Sequence, residues 1–206
     1  MAFIQTIPVA TASGAVRDLY ESNQANLGYV PNYVKVFSHR PAVMAAWGAL
    51  IGSIRADLDQ RRYELVTLAA ARALNSSYCL LAHGTILRDR FYAAEALTAI
   101  AADFTHAGLA PVDVAIMAYA EHIVRDAASV QAEEIEALRG FGLTDAEIFD
   151  IAAATTARCF FSKLLDALGA EPDAAYAELE PELRARLTRG RAISLAPDEC
   201  VPSSQP

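Results

Sequence analysis

A chain of 206 residues, 54% apolar and 20% charged, is long enough to bury a sizeable core and too apolar to stay disordered. Its formal charge of −8 and pI near 5.0 argue against a nucleic-acid partner, which calls for a basic face. No run of about 18 apolar residues is free of charge, so no membrane partner is expected, and three scattered cysteines build no disulfide framework, which points to a reducing, cytoplasmic setting.

The N-terminal stretch MAFIQTIPVATASGA has no basic segment and meets Pro8 early, so it does not read as a secretory leader. Ser13 is placed to cap a helix carrying Val16, Leu19 and Tyr20, with Gly28 as its stop. A short helix is expected over 31–37. Pro41 then opens PAVMAAWGALIGSI, with proline in the first turn where its missing N–H costs nothing. Asp59 is a good N-cap for the next helix, and Leu58 and Tyr63 stand at the positions of a hydrophobic staple. That helix, RRYELVTLAAARAL, is apolar on nearly every side beyond Glu64 and is expected at the centre of the fold.

Asn75-Ser76-Ser77 interrupts it and can start another, with Ser76 as N-cap. Further helices are expected over 92–102, from Pro111, and over 132–138. Thr144-Asp145-Ala146-Glu147 is a capping box that opens the longest helix. It runs to Leu168, before Gly169, and its expected core stripe is Ile148, Ile151, Ala152, Phe160, Leu164 and Leu165. Abundant alanine, with glycine and proline mostly between the periodic segments, gives an all-α protein. The chain divides into an N-terminal helical extension (1–40), one compact helical domain (41–190) and an aperiodic tail (191–206), expected to be mobile or docked on a partner.

The stretch NSSYCLLAH, residues 75–83, carries the chemistry. On one helix Ser76, Cys79 and His83 fall within an arc of roughly 60° and share a face. A thiol at the third helical position sits among unpaired N–H groups at the positive end of the dipole, which favours thiolate. His83, one turn on, can accept its proton. A carboxylate in an apolar helix needs a partner, and His83 would supply one for Glu64. Two other readings stand beside this redox site. Cys79 can be a small core hydrophobe, with Glu64 paired to Arg61, Arg62 or Arg72. Or Cys79, His83 and Glu64 can ligate zinc, although no CxxC or paired histidine backs a metal. Cys159, beside Phe160 and Phe161, reads as core; Cys200 reads as an incidental exposed thiol; His39, His106 and His122 read as surface or capping groups. No phosphate-cradling glycine loop is present, so no nucleotide cofactor is implied.

Three segments together resemble a known family: GYVPNYVKVFSHRPAVMAAW, LDQRRYELVTLAAARALNSSYCLLAHG and GLTDAEIFDIAAATTARCFFSKLLDALG. They resemble the carboxymuconolactone decarboxylase superfamily in its alkylhydroperoxidase D-like, peroxidase-related branch, over roughly residues 25–170. The family motif is Glu, eleven residues, Cys, two residues, Cys, three residues, His; Glu64, Ser76, Cys79 and His83 keep that register. The resemblance implies a helical bundle and a cofactor-free thiol peroxidase that assembles as a dimer, trimer or hexamer. It implies that Cys79 attacks a hydroperoxide and that Glu64 and His83 relay protons. The family's resolving cysteine is replaced by Ser76, which cannot form a disulfide. That leaves reduction by an external thiol, resolution by Cys159 or Cys200, or a different reaction in the same pocket. Family members that decarboxylate lactones keep the histidine without the cysteine pair, so a lyase or isomerase using His83 and Glu64 is the alternative. A non-catalytic oligomeric binding protein is the third reading.

Overall fold

A helix apolar on all sides has to be surrounded, and Gln60–Ala73 (α4) is: every residue from Tyr63 to Ala71 is buried. Asp59 caps it, its carboxylate accepting the Arg62 N–H at 2.9 Å. Around α4 pack Ser77–Arg90 (α5), Pro111–Asp126 (α7) and Asp145–Ala167 (α9). The computed structural model describes residues 2–202, which contain ten α-helices and no strand. The fold is all-α.

The other helices lie outside this centre. Gly14–Leu27 (α1) and Asn32–Phe37 (α2) form the N-terminal extension, and Pro41–Arg55 (α3) lies across α9. Ala94–Asp103 (α6), Ala132–Gly140 (α8) and Pro181–Leu187 (α10) close the flanks. Gly28 ends α1 at φ 83°, a left-handed conformation that glycine adopts without strain. Ser13 holds the expected N-cap position of α1, but its side chain makes no capping bond. Thr144 and Glu147 form the expected reciprocal box at the start of α9.

The tail lies on its own chain. Val201 packs into a small second core with Val9, Tyr20, Val30 and Val34. Val30 N–H donates to the Glu199 carbonyl at 2.8 Å, and Lys35 pairs with the Glu199 carboxylate at 2.8 Å. Gly190 N–H donates to Ser77 Oγ at 2.7 Å, and a Cβ at position 190 would collide with the Asn75 carbonyl oxygen. The tail's aperiodic sequence gave no sign of these contacts, because each is a single polar or apolar match rather than a stripe. Residues 203–206 of the tail lie outside the described residues.

The α9 stripe differs from its sequence expectation. Ile148, Ile151 and Leu165 are buried as expected, Ala152 and Leu164 are only partly so, and Phe160 is 49% exposed. Between Ile151 and Leu165 the buried positions include Thr155, Arg158 and Ser162. A polar stripe thus replaces the apolar one where α9 passes α5.

Candidate active site

The corner between α4 and α5 explains why a glutamate and a histidine nineteen residues apart meet. Asn75 turns the chain at φ 54°, a left-handed conformation that asparagine tolerates. Glu64 lies eleven residues before it and His83 eight after, roughly 16 Å and 12 Å along the two helices. With α5 folded back along α4, the two side chains face each other. His83 Nδ1 and Glu64 Oε2 are 2.5 Å apart, with Glu64 1% and His83 12% exposed.

The electrostatics decide where the proton sits. Burial opposes ionisation of Glu64, but His83, Arg55 and Arg158 together outweigh it and hold the carboxyl below its ordinary range. Burial, reinforced by the positive charge of Arg158, holds His83 down against the pull of Glu64. At neutral pH the pair is therefore carboxylate and neutral imidazole. Nδ1 carries the proton toward Glu64, and Nε2 is left as an acceptor.

Cys79 is buried one turn before His83. Two donors reach its sulfur from α9: Ser162 Oγ at 3.0 Å and Arg158 Nη1 at 3.6 Å. The Arg158 guanidinium is 5% exposed, and its Nη2 lies 3.5 Å from the Tyr63 hydroxyl. It also lies over the faces of Trp47 and Phe161, at 5.7 and 5.4 Å from the ring centroids. Neither Arg158 nor Ser162 was anticipated from the sequence. The available signal was a lone arginine and a serine in register with Ile151, Thr155 and Leu165 on the inner face of the helix.

Cys79, His83 and Arg158 open onto one cavity of about 260 Å³. Its walls are aromatic: Trp47 stacks on Phe161 at 4.8 Å, and Tyr33 meets Phe161 and Tyr78 edge-on. Met44, Ile51 and Arg55 of α3 form the rim, with Arg55 over the Tyr63 ring at 4.9 Å. A larger groove of about 550 Å³ between α1 and α3 is lined by Ala15, Leu19 and Met44, with Asp18 as its only ionisable group, and has no reactive set.

Ser76 is buried at the N-cap position of α5, yet its side chain does not cap the helix. Its backbone is extended, φ −89° and ψ 97°, as an N-cap residue's is. The hydroxyl makes no close hydrogen bond, although it lies near enough to Asp166 to offset part of the rise that burial imposes on that carboxyl. Cys159 is partly exposed and lies outside the cavity lining, and burial pushes its thiol up. Exposed Cys200 sits in the tail, its thiol 3.4 Å from the Gly28 carbonyl. His39, His106 and His122 bond to Gln5, Asp103 and Glu134 respectively, away from the cavity. Among the described residues, no three His, Cys, Asp or Glu side chains are grouped to hold a metal.

No protein-family model and no curated protein matches the chain by sequence. Solved structures do. An alkylhydroperoxidase AhpD core protein, described as peroxidase-related, from Ralstonia eutropha JMP134 superposes with TM-score 0.77 and 25% identity, over 85% of this chain and 94% of that one. A peroxidase-related protein from Silicibacter sp. TM1040 gives TM-score 0.78 and 22% identity, over 86% and 94%. The chain has the AhpD-like fold. The debrominase Bmp8, solved in complex with 2,3,4-tribromopyrrole, shares the fold at TM-score 0.65 and 17% identity, over 89% and 98%. AhpD-like architecture thus carries more than one chemistry, and the residues of the cavity have to decide among them. No helix among the described residues is long and apolar enough to cross a membrane.

Proposed function

We propose that the protein is a thiol-dependent peroxidase in which Cys79 reduces a hydroperoxide. The observation that carries this reading is a buried sulfur with two donors from α9, in the same cavity as a histidine held by a carboxylate. His83 Nε2 takes the Cys79 proton. The thiolate, stabilised by Ser162 and Arg158, attacks the terminal oxygen of ROOH. The O–O bond breaks, its electron pair leaves on RO⁻, and His83 returns the proton to give ROH. Cys79 is left as a sulfenic acid. With Ser76 in place of a thiol and Cys159 outside the cavity, reduction falls to an external thiol. The first thiol condenses with the sulfenic acid and releases water; the second exchanges out the mixed disulfide and restores Cys79. One equivalent of peroxide, a sulfenic-acid trap and peptide mass spectrometry test this directly. Label on Cys79 is expected; label absent from Cys79 while peroxide is consumed sinks the reading.

A second reading draws on the Glu64–His83 pair alone. An ionised carboxylate against a neutral imidazole is also a general base, suited to a cofactor-free lyase or isomerase. Its signature is opposite: Cys79→Ala would be tolerated and His83→Ala would not.

The same proposal includes a homo-oligomer formed through α3. Only Trp47 and Ile54 of its fifteen residues are buried, although the helix is almost wholly apolar. Val43 and Leu50 of α3 are exposed beside Phe160 of α9, and a second copy of this apolar face is the covering that suits them.

A further inference from the structure

Arg158 carries a buried charge with no carboxylate in direct contact, Glu64 and the Cys79 sulfur acting on it only through space or through one long bond. Among the described residues no carboxylate lies within ion-pairing distance of it. Its two long contacts go to a sulfur and a phenol, and its Nε has no hydrogen-bond partner. A guanidinium taken out of water this far is costly unless something anionic completes it. Arg55, at the rim of the same cavity, also has no carboxylate partner among the described residues and lies over Tyr63. Glu64, the nearby carboxylate, is committed to His83. Two cations thus face a cavity whose other walls are mostly aromatic rings, with Met44 and Ile51 beside them. Its volume, about 260 Å³, is at the small end for ligand sites and suits a single ring rather than a long chain.

We infer that this cavity binds a small aromatic carboxylate, its ring among Trp47, Phe161 and Tyr33 and its carboxylate on Arg158 with Arg55 at the rim. The fork of a guanidinium matches a carboxylate, and its flat face stacks on rings; an ammonium group would do neither as well. Because Arg158 also touches Cys79, the anion is drawn to the sulfur that would act on it. This deepens the proposed function, on which it rests for the identity of the reactive site, by naming the substrate class: hydroperoxides or related electrophiles that carry an acidic aromatic body.

Binding can be read without turnover. Trp47 is the only tryptophan in the chain and lies in the cavity wall, so its fluorescence reports occupancy. Benzoate and the neutral, near-isosteric benzamide are the probes, titrated to about 10 mM, a range that covers weak fragment affinities. Benzoate is expected to bind at least about tenfold more tightly than benzamide, as charge-assisted bonds should give. The preference is expected to vanish in Arg158→Gln and to weaken by roughly two- to fivefold in the rim variant Arg55→Gln. Cys79→Ser should keep the preference, whether or not the protein turns over peroxide, so failure here is separate from failure of the peroxidase reading. Equal binding of the two probes, no response to either, or a benzoate preference that survives in Arg158→Gln overturns the inference. If circular dichroism shows that Arg158→Gln does not fold, an unchanged preference in Arg55→Gln overturns it instead.

Discussion

The reactive set comes from two regions built by different rules. The α4–α5 corner places Glu64, Cys79 and His83 through local spacing: a helix, a turn and a returning helix put them at matched depths. The α9 contribution, Arg158 and Ser162, arrives from about eighty residues away and is positioned only by packing. In the proposed reaction the corner supplies the nucleophile and the proton relay. The distant helix supplies the charge and the hydrogen bond that hold the sulfur. On the proposed function, a motif specifies which atoms react, and the helix packed against it sets the surroundings in which they do so.

Removing the nucleophile breaks the comparison at its centre. Cys79→Ala is expected to lower peroxide turnover by at least about 10³-fold, the scale of losing a covalent catalyst. Residual turnover above a few per cent would show that Cys79 is not the nucleophile and overturn the peroxidase reading. The α9 side is tested next. Arg158→Lys keeps the charge but loses the fork, and Ser162→Ala removes the closest donor to the sulfur. Each is expected to slow sulfenic-acid formation by roughly 10²-fold, as loss of one pre-organised donor does, without changing which residue is labelled. If neither slows it by as much as threefold, α9 is only a wall.

The same division governs what could be read in the sequence. The corner was legible because it is local: Asp59 announced the start of α4, the apolar run announced its burial, and Glu64 stood out as a charge needing a partner. Spacing offered His83 beside Arg61, Arg62 and Arg72, and only the resemblance favoured the histidine. Arg158 was not legible because its role depends on which helix packs opposite, and that cannot be read from α9 itself. Phe160 was assigned to the core by its type, yet it is the small and polar residues of α9 that face the sulfur, and the ring points outward. The tail failed for a related reason: Asp198 and Val201 dock by isolated polar and apolar contacts, as Gly190 does just before it, which leaves no period to detect.

A third contact to the reactive helix gives a pH test. Buried Asp173 accepts the Tyr78 hydroxyl at 2.5 Å and the Asn32 N–H at 2.6 Å, which ties α5 to the N-terminal extension. Burial raises its carboxyl to about 6 against those two bonds, which pull it down. The folded state therefore holds a proton that the unfolded chain releases near pH 4. Folding gains nothing from this group at high pH. Stability falls as pH rises from about 4 through 6, by an order of 2–3 kcal/mol. Asp173→Asn keeps an acceptor for Asn32 and cannot ionise, so its urea midpoint should change less than that of the wild type over this range. An identical slope in the two proteins would show that Asp173 is not the group responsible.

The smallest expected effect falls on the residue that the motif marks most strongly. Ser76 holds the place of a resolving cysteine, but its hydroxyl neither caps α5 nor bonds to Cys79. Its carbonyl accepts the first helical bond, from Leu80 N–H at 3.0 Å, which any residue at this position would do. Ser76→Ala therefore removes no bond to the sulfur and, in the fold, only the loose approach to Asp166. It should leave the rate of Cys79 oxidation within about twofold and stability within about 0.5 kcal/mol, the range of substitutions that break no named interaction. A tenfold loss of rate would mean that the hydroxyl turns to the sulfur during the reaction. Ser76 would then belong with Ser162 as a donor, and the corner would contribute to holding the thiolate as well as supplying it.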